Sequence, residues 1–350
     1  MSIINTIVGS AASAQNREVP SYAYTGNEVQ DALYITDLST NSIVGSISST
    51  ALLEDIIECK YDAERELVYT TARTDDVLCV IDVSDPSNPT VLDYVGTGTN
   101  SRGLAYDKYS KRVYVAASNS YSLTSIDVSN PSNISVTGSY TSSTYLNYAY
   151  GVALDNTKKI VYVTETDGVT AFDVSGTTPA RAGYLTNTSF FGGANNTDPI
   201  LDKETDTLYL IAGNDSTVAA VDVSDPYSLS LPSVLRDTQR FQYIQAGALD
   251  ADNKLLYVGG WNGLSVIDVS NPSNMVRLNT QVFTPYLTGT IVLDLGSKVL
   301  YATGSGNLAS FDISDPYNIT KIEDVSNGTT ALALNISQGE DTLAFRKYPS

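Results

Sequence analysis

Val80-Ile81-Asp82-Val83-Ser84-Asp85-Pro86 reads as an apolar pair, an aspartate, a third apolar residue and a Ser-Asp-Pro turn. The phrase returns as Ile126-Asp127-Val128-Ser129-Asn130-Pro131 and Val221-Asp222-Val223-Ser224-Asp225-Pro226. It returns again as Ile267-Asp268-Val269-Ser270-Asn271-Pro272 and Phe311-Asp312-Ile313-Ser314-Asp315-Pro316. Phe172-Asp173-Val174-Ser175-Gly176 and Ile35-Thr36-Asp37-Leu38-Ser39 are looser copies. The aspartates at 37, 82, 127, 173, 222, 268 and 312 are 45, 45, 46, 49, 46 and 44 residues apart. Seven near-equal copies therefore fill the 350-residue chain. Such a period marks one supersecondary unit repeated in an array.

A second phrase precedes most copies: an apolar strand ending in Asp, a polar turn, then apolar-Tyr-apolar. Leu104-Ala105-Tyr106-Asp107 with Val113-Tyr114-Val115 is one example, and Leu249-Asp250 with Leu256-Tyr257-Val258 another. Val, Ile, Tyr and Thr between turn residues predict four strands per repeat, near 103–107, 112–118, 122–128 and 134–140 in the repeat around Asp127. No segment keeps a helical period. Four strands in 40–50 residues match a β-propeller blade. Repeats of a parallel β-helix are much shorter, and sandwich domains need about 100 residues each. The expected fold is all-β: a single seven-bladed propeller of four-stranded blades. The first copy lacks its first strand, and Ala331-Leu332-Ala333-Leu334-Asn335 supplies one at the other end. The C-terminus is thus expected to close the ring by pairing with the N-terminal blade. Either 22–24 or 343–345 fits the second strand there. The organisation reads as an arm over 1–19, the propeller over 20–346 and a tail over 347–350.

The recurring Val-Ile-Asp-Val-Ser-Asp-Pro resembles the LVIVD repeat, a propeller repeat of bacterial and archaeal surface proteins. The resemblance covers roughly 20–346. It implies a seven-bladed ring and a surface context, and no particular activity.

Lys+Arg is 20 and Asp+Glu 39, a net charge of −19. Such a chain repels phosphate backbones and anionic lipid, so neither nucleic acid nor a membrane surface is an expected partner. There is no histidine. That removes the Ser-His-Asp triad and every His-ligated metal site. No run of 18 apolar residues exists, so no membrane span is expected. Ala12-Ser13-Ala14 resembles a cleavage site, but no basic residue precedes Arg17 and Asn5 interrupts the apolar start, so no signal peptide is expected.

The repeated aspartates could suggest calcium. Asp before Ser, Asp/Asn and Pro is better explained as turn chemistry, and no Asp-x-Asp-x-Asp-Gly loop occurs. The repeated tyrosines at 69, 114, 162, 209, 257 and 301 are expected to pack between blades with hydroxyls at a polar rim. Cys59 falls on a first strand and Cys79 on the third of the same blade. About 9–10 Å then separates them, too far for a disulfide, so two buried free thiols are expected. Sequons at Asn133, Asn187, Asn195, Asn214, Asn318, Asn327 and Asn335 permit glycosylation.

Uniform turns should lie on one face of the ring and irregular loops on the other, where binding usually sits. Those loops hold Tyr145, Tyr148, Phe190, Phe191, Arg240, Tyr243, Trp261 and Tyr286. Exposed aromatics with Arg suit a protein interface or a carbohydrate platform. The leading expectation is a non-catalytic surface or virion structural or attachment protein, or an adhesin. Its partners would be subunits of a particle or envelope, or glycan, with a homo-oligomer built through the N-terminal arm and no cofactor. The alternative is a propeller hydrolase or lyase, lactonase-like, with a metal in the central channel. Gly103, Gly151, Ala246-Gly247 and Gly289 near the inner-strand starts leave few ligands for one, with Glu58 the acidic exception.

Overall fold

The computed structural model describes residues 22–27, 30–187, 199–213, 216–283, 289–304, 307–326 and 331–336. These form seven four-stranded antiparallel sheets. From the inner strand outward, blade 2 is Ile56–Asp62, Leu67–Ala72, Val77–Asp82 and Thr90–Gly96, and blade 3 is Ser101–Asp107, Arg112–Ala117, Ser122–Asp127 and Ser135–Thr141. Blade 4 is Val152–Asp155, Ile160–Glu165, Gly168–Asp173 and Ala180–Thr186. Blade 5 is Ile200–Asp202, Thr207–Ala212, Thr217–Asp222 and Ser230–Arg236. Blade 6 is Ala246–Asp250, Leu255–Gly260, Gly263–Asp268 and Val276–Gln281. Blade 7 is Ile291–Asp294, Val299–Gly304, Asn307–Asp312 and Thr320–Ser326. Among the described residues no helix occurs, and hence none long and apolar enough to cross a membrane.

Blade 1 is composite, with Ala331–Ile336 inside Tyr22–Asn27, Ala32–Asp37 and Ser42–Ser48. Tyr24 pairs with Asn335 and Thr25 with Leu334. Of the two sequence options for the second strand, the N-terminal one holds; 343–345, the arm over 1–19 and the tail lie outside the described residues.

The core is a chain of clusters between blades. Leu67, Tyr69 and Val80 of blade 2 pack with Leu104, Val113 and Ile126 of blade 3. Ala23 of blade 1 packs with Val292, Tyr301 and Leu308 of blade 7, so the ring closes through side chains as well as backbone. Tyr24, Tyr69, Tyr114, Tyr162, Tyr209 and Tyr257 are fully buried there. Their hydroxyls fare unequally. Tyr69 Oη accepts from Arg65, whereas those of Tyr162 and Tyr209 are buried without a partner, so the expected polar rim fails in blades 4 and 5.

The decisive phrase does two jobs. In all seven blades its aspartate Oδ1 accepts the N–H of the serine two residues on, at 2.8–2.9 Å. The turn reading therefore accounts for the repeat. Hydrogen bonds from that serine hold the carboxyls of Asp37, Asp127, Asp173, Asp222 and Asp312 below their ordinary range. The rest of the phrase docks on the preceding blade's outer strand. A Cβ on Gly45 would stand 2.0 Å from Pro86 O, and one on Gly183 2.5 Å from Pro226 O. Ser233 Oγ donates to Pro272 O, and Asn279 Nδ2 to Tyr317 O at 2.8 Å. Each outer strand also carries a bulge against its neighbour. Bulges and docked turns blunt the edges that would otherwise template strand addition.

Cys59 and Cys79 both face Thr70 in register, one on each side of its strand. They are buried and free, as the spacing requires. Burial pushes both thiols up to about 12.

Candidate functional site

The connections from outer to next inner strand and those from second to third strand share a face. Backbone bonds zip them together: Arg73 N donates to Asp55 O at 3.0 Å, Thr166 N to Asn147 O at 3.0 Å, and Trp261 N to Gln242 O at 3.0 Å. This is the loop face expected from the sequence.

The structure divides the expected binding residues. Phe190, Phe191 and Tyr286 lie outside the described residues. Tyr243 and Trp261 meet in blade 6, stacked with ring centroids 4.1 Å apart and planes at 23°. Both are exposed, at 45% and 41%. Arg240 is exposed in the loop that carries Tyr243. Tyr145 and Tyr148 sit at the entry to blade 4. Tyr145 packs edge-on against Tyr184 at 5.0 Å, under the Arg181 guanidinium at 4.3 Å. Tyr148 meets the edge of Tyr121 at 6.0 Å. Phe241, in the same loop as Tyr243, is a core residue.

A second group was hidden by the repeat. Counting back from the aspartate that ends each inner strand, Asp55, Asn100, Tyr148 and Tyr243 are equivalent. All four have left-handed backbones, with φ of 62°, 63°, 51° and 45°. Tyrosine pays for that conformation, which Asp and Asn adopt more readily, and the ring also uses it in ordinary turns such as those at Glu66, Lys111 and Lys254. Two residues on, Ile57, Arg102, Tyr150, Gln245 and Gly289 are equivalent. One further, Glu58 stands where other blades have Gly103, Gly151, Ala246 and Thr290. On the second strand, Glu165 replaces the Ala72, Ala117, Ala212, Gly260 and Gly304 of other blades. Whatever the repeat needs for folding, it does not need these side chains.

Those of blades 2 to 4 lie at the channel mouth. Asp55 Oδ2 accepts from Arg73 Nε, while Asp55 Oδ1 is buried without a hydrogen-bond partner. Arg102 Nε donates to Asn100 Oδ1 at 2.7 Å and Ser118 Oγ at 3.1 Å, and its guanidinium lies 5.2 Å from the centre of the Tyr150 ring. Asp76 Oδ1 accepts the Asn100 N–H at 2.6 Å, and Thr71 Oγ1 donates to Arg102 O at 3.0 Å, so blade 2 braces the mouth of blade 3. Below them, Glu58 Oε2 accepts the Leu104 N–H at 3.1 Å and Oε1 pairs with Lys60. A longer side chain fits poorly at Gly103, where a Cβ would stand 2.4 Å from Tyr150 O. Glu165 Oε2 accepts the Asn147 N–H at 3.2 Å and Oε1 the Thr170 hydroxyl at 3.3 Å. Burial outweighs these bonds and brings its carboxyl up to about 7.

Such a mouth holds a braced guanidinium and a buried carboxylate oxygen without a hydrogen-bond partner, beside small residues. Among the described residues no three Cys, Asp or Glu side chains converge to hold a metal ion, so the carboxylates do not fit the metal of the enzyme alternative.

The LVIVD repeat matches residues 71–97, 108–142 and 246–280, in blades 2, 3 and 6. No curated protein matches the chain in sequence. Among solved structures, it is similar to the periplasmic gluconolactonase of Pseudomonas aeruginosa, 11% identical, with a TM-score of 0.74 over 90% of this chain and 98% of that one. A candidate 6-phosphogluconolactonase of Bacteroides uniformis is 13% identical, with a TM-score of 0.74 over 91% and 100%. A hypothetical selenium-binding protein of Sulfolobus tokodaii is 11% identical, with a TM-score of 0.72 over 94% and 96%. At these identities the likeness shows the fold. The gluconolactonases nevertheless correct the expectation of a chain without catalysis: absent histidine and small inner-strand residues were weak grounds for excluding an enzyme on a ring shared with hydrolases. The virion and adhesin readings gain no support from these structures.

Proposed function

We propose that this seven-bladed LVIVD-repeat propeller is a hydrolase of sugar lactones or similar cyclic esters, acting at the channel mouth of blades 2 to 4. The carrying observation is the break in sevenfold pattern at the loop-face ends of blades 2 and 3, where Asp55 pairs with Arg73 and Asn100 with Arg102, on a ring similar to gluconolactonases. A lactone presents a carbonyl that becomes an oxyanion when water adds. Arg102, held at Nε by Asn100 and Ser118, stabilises that charge in a site needing little reorganisation. Asp55, fixed by Arg73 through one oxygen, takes the water's proton on the other. The water oxygen bonds to the carbonyl carbon, the ring C–O bond breaks, and the proton passes to the departing alkoxide. No metal enters this scheme. The periplasmic relative favours a cell-envelope or extracellular location.

Acid release from glucono-δ-lactone, followed in a pH-stat above the uncatalysed rate, tests the reading. The chain should accelerate hydrolysis, and Arg102→Ala should lower kcat about 10²-fold with an unchanged melting temperature. No acceleration of this or other aldonolactones, or full activity in Arg102→Ala, would overturn it.

A further inference from the structure

We infer that the stacked Tyr243–Trp261 pair of blade 6 is a binding platform for the pyranose ring of a saccharide. It lies on the loop face but belongs to another blade than the proposed catalytic mouth, so it goes beyond that reading and stands without it.

The pair is built in place. Phe241 is fully buried and anchors the loop in the core. Asp237 folds the loop over it: its carbonyl accepts the Phe241 N–H at 2.8 Å, and its Oδ1 accepts the N–H groups of Gln239 and Arg240 at 3.1 and 3.0 Å. Arg277 of the outer strand fixes the other carboxylate oxygen at 3.1 Å. The turn bearing Trp261 is tied to this loop twice, by Trp261 N to Gln242 O at 3.0 Å and by Asn262 Nδ2 to Gln239 O at 2.7 Å. Gly260 permits the approach, since a Cβ there would stand 2.8 Å from Gln242 O and 2.9 Å from Tyr243 O. Gly263 takes a φ of +97°, which closes the turn beneath the indole. Two tied segments and a left-handed Tyr243 thus hold two large rings parallel and in the solvent.

The size and rim of the patch select the occupant. Besides the two rings, the exposed apolar residue beside the turn is Val282, and Arg240 and Gln242 beside them are exposed and polar. A protein partner needs about 800 Å² on each side, far more than two rings and a valine present. A pyranose has one C–H face the size of a ring and hydroxyls around its edge. Aromatic planes take the first, and guanidinium and amide groups the second.

Trp261 is the chain's one tryptophan, so its emission reports on this spot alone. The full chain is titrated with cellobiose, maltose and N,N′-diacetylchitobiose, each up to about 10 mM, the millimolar range expected for one stacked ring. The inference expects at least one to change the emission saturably. Tyr243→Ala should weaken that binding at least tenfold, and so should Gly260→Ala, which keeps both rings but pushes the loop away. Trp261→Phe, followed by calorimetry, should keep part of the affinity. Circular dichroism confirms that each variant is folded. No saturable change with any of the three sugars, or equal affinity in folded Tyr243→Ala, overturns the inference. Neither outcome depends on lactone hydrolysis, so the two proposals fail separately.

Discussion

Single residues carry both the regularity of this ring and its exceptions. The aspartate of each third strand could be read from the sequence because turn chemistry is local: a carboxylate, two residues and an N–H suffice. Glu165 was not legible. In one repeat it is an ordinary polar residue at a strand end, and only its alignment with alanines and glycines marks it. Its cost is pH-dependent. A buried carboxyl at about 7, against about 4.3 when unfolded, leaves stability intact below the unfolded value and erodes it as pH rises through the folded one. The difference corresponds to about 4 kcal/mol. Glu165→Gln should therefore melt above the wild type at pH 8 and level with it near pH 4.5. Thermal melts across that range check this, and a difference independent of pH would assign Glu165 a purely structural role.

At the scale of elements, strand positions followed from Val, Ile, Tyr and Thr clusters between turns, and the repeat around Asp127 matches within two residues. Closure was legible only in part. Ala331–Asn335 was expected inside the first blade, but 22–24 and 343–345 both carry aromatics among small or apolar residues, and local pattern cannot choose between them. The pairing of Tyr22–Asn27 with both Ala32–Asp37 and Ala331–Ile336 decides it. The closing strand also packs near the inner and second strands of its neighbours, so its loss would open the ring on both sides. A chain ending at residue 330 should lose cooperative unfolding, or melt at least 10 °C lower, in differential scanning calorimetry; a single unchanged transition would show that closure contributes little.

Across the whole molecule, sevenfold repetition gives the scaffold, and departures from it carry the proposed chemistry. Reading the repeat located the ring and the loop face, and named Tyr243 and Trp261 without pairing them. It missed Asp55, Arg73, Asn100 and Arg102, because they stand on two neighbouring blades and at left-handed turns that no local pattern displays. It also placed catalysis second, on the absent histidine and the small inner-strand residues, although hydrolysis needs only a placed carboxylate and a placed guanidinium. Catalysis at that mouth would place the product there. A crystal structure of the chain soaked with gluconate, the product of glucono-δ-lactone hydrolysis, tests it most directly. The account predicts gluconate at the channel mouth with its carboxylate on Arg102 and a hydroxyl beside Asp55. Gluconate ordered only elsewhere on the ring, or an empty mouth at saturating gluconate, would contradict it.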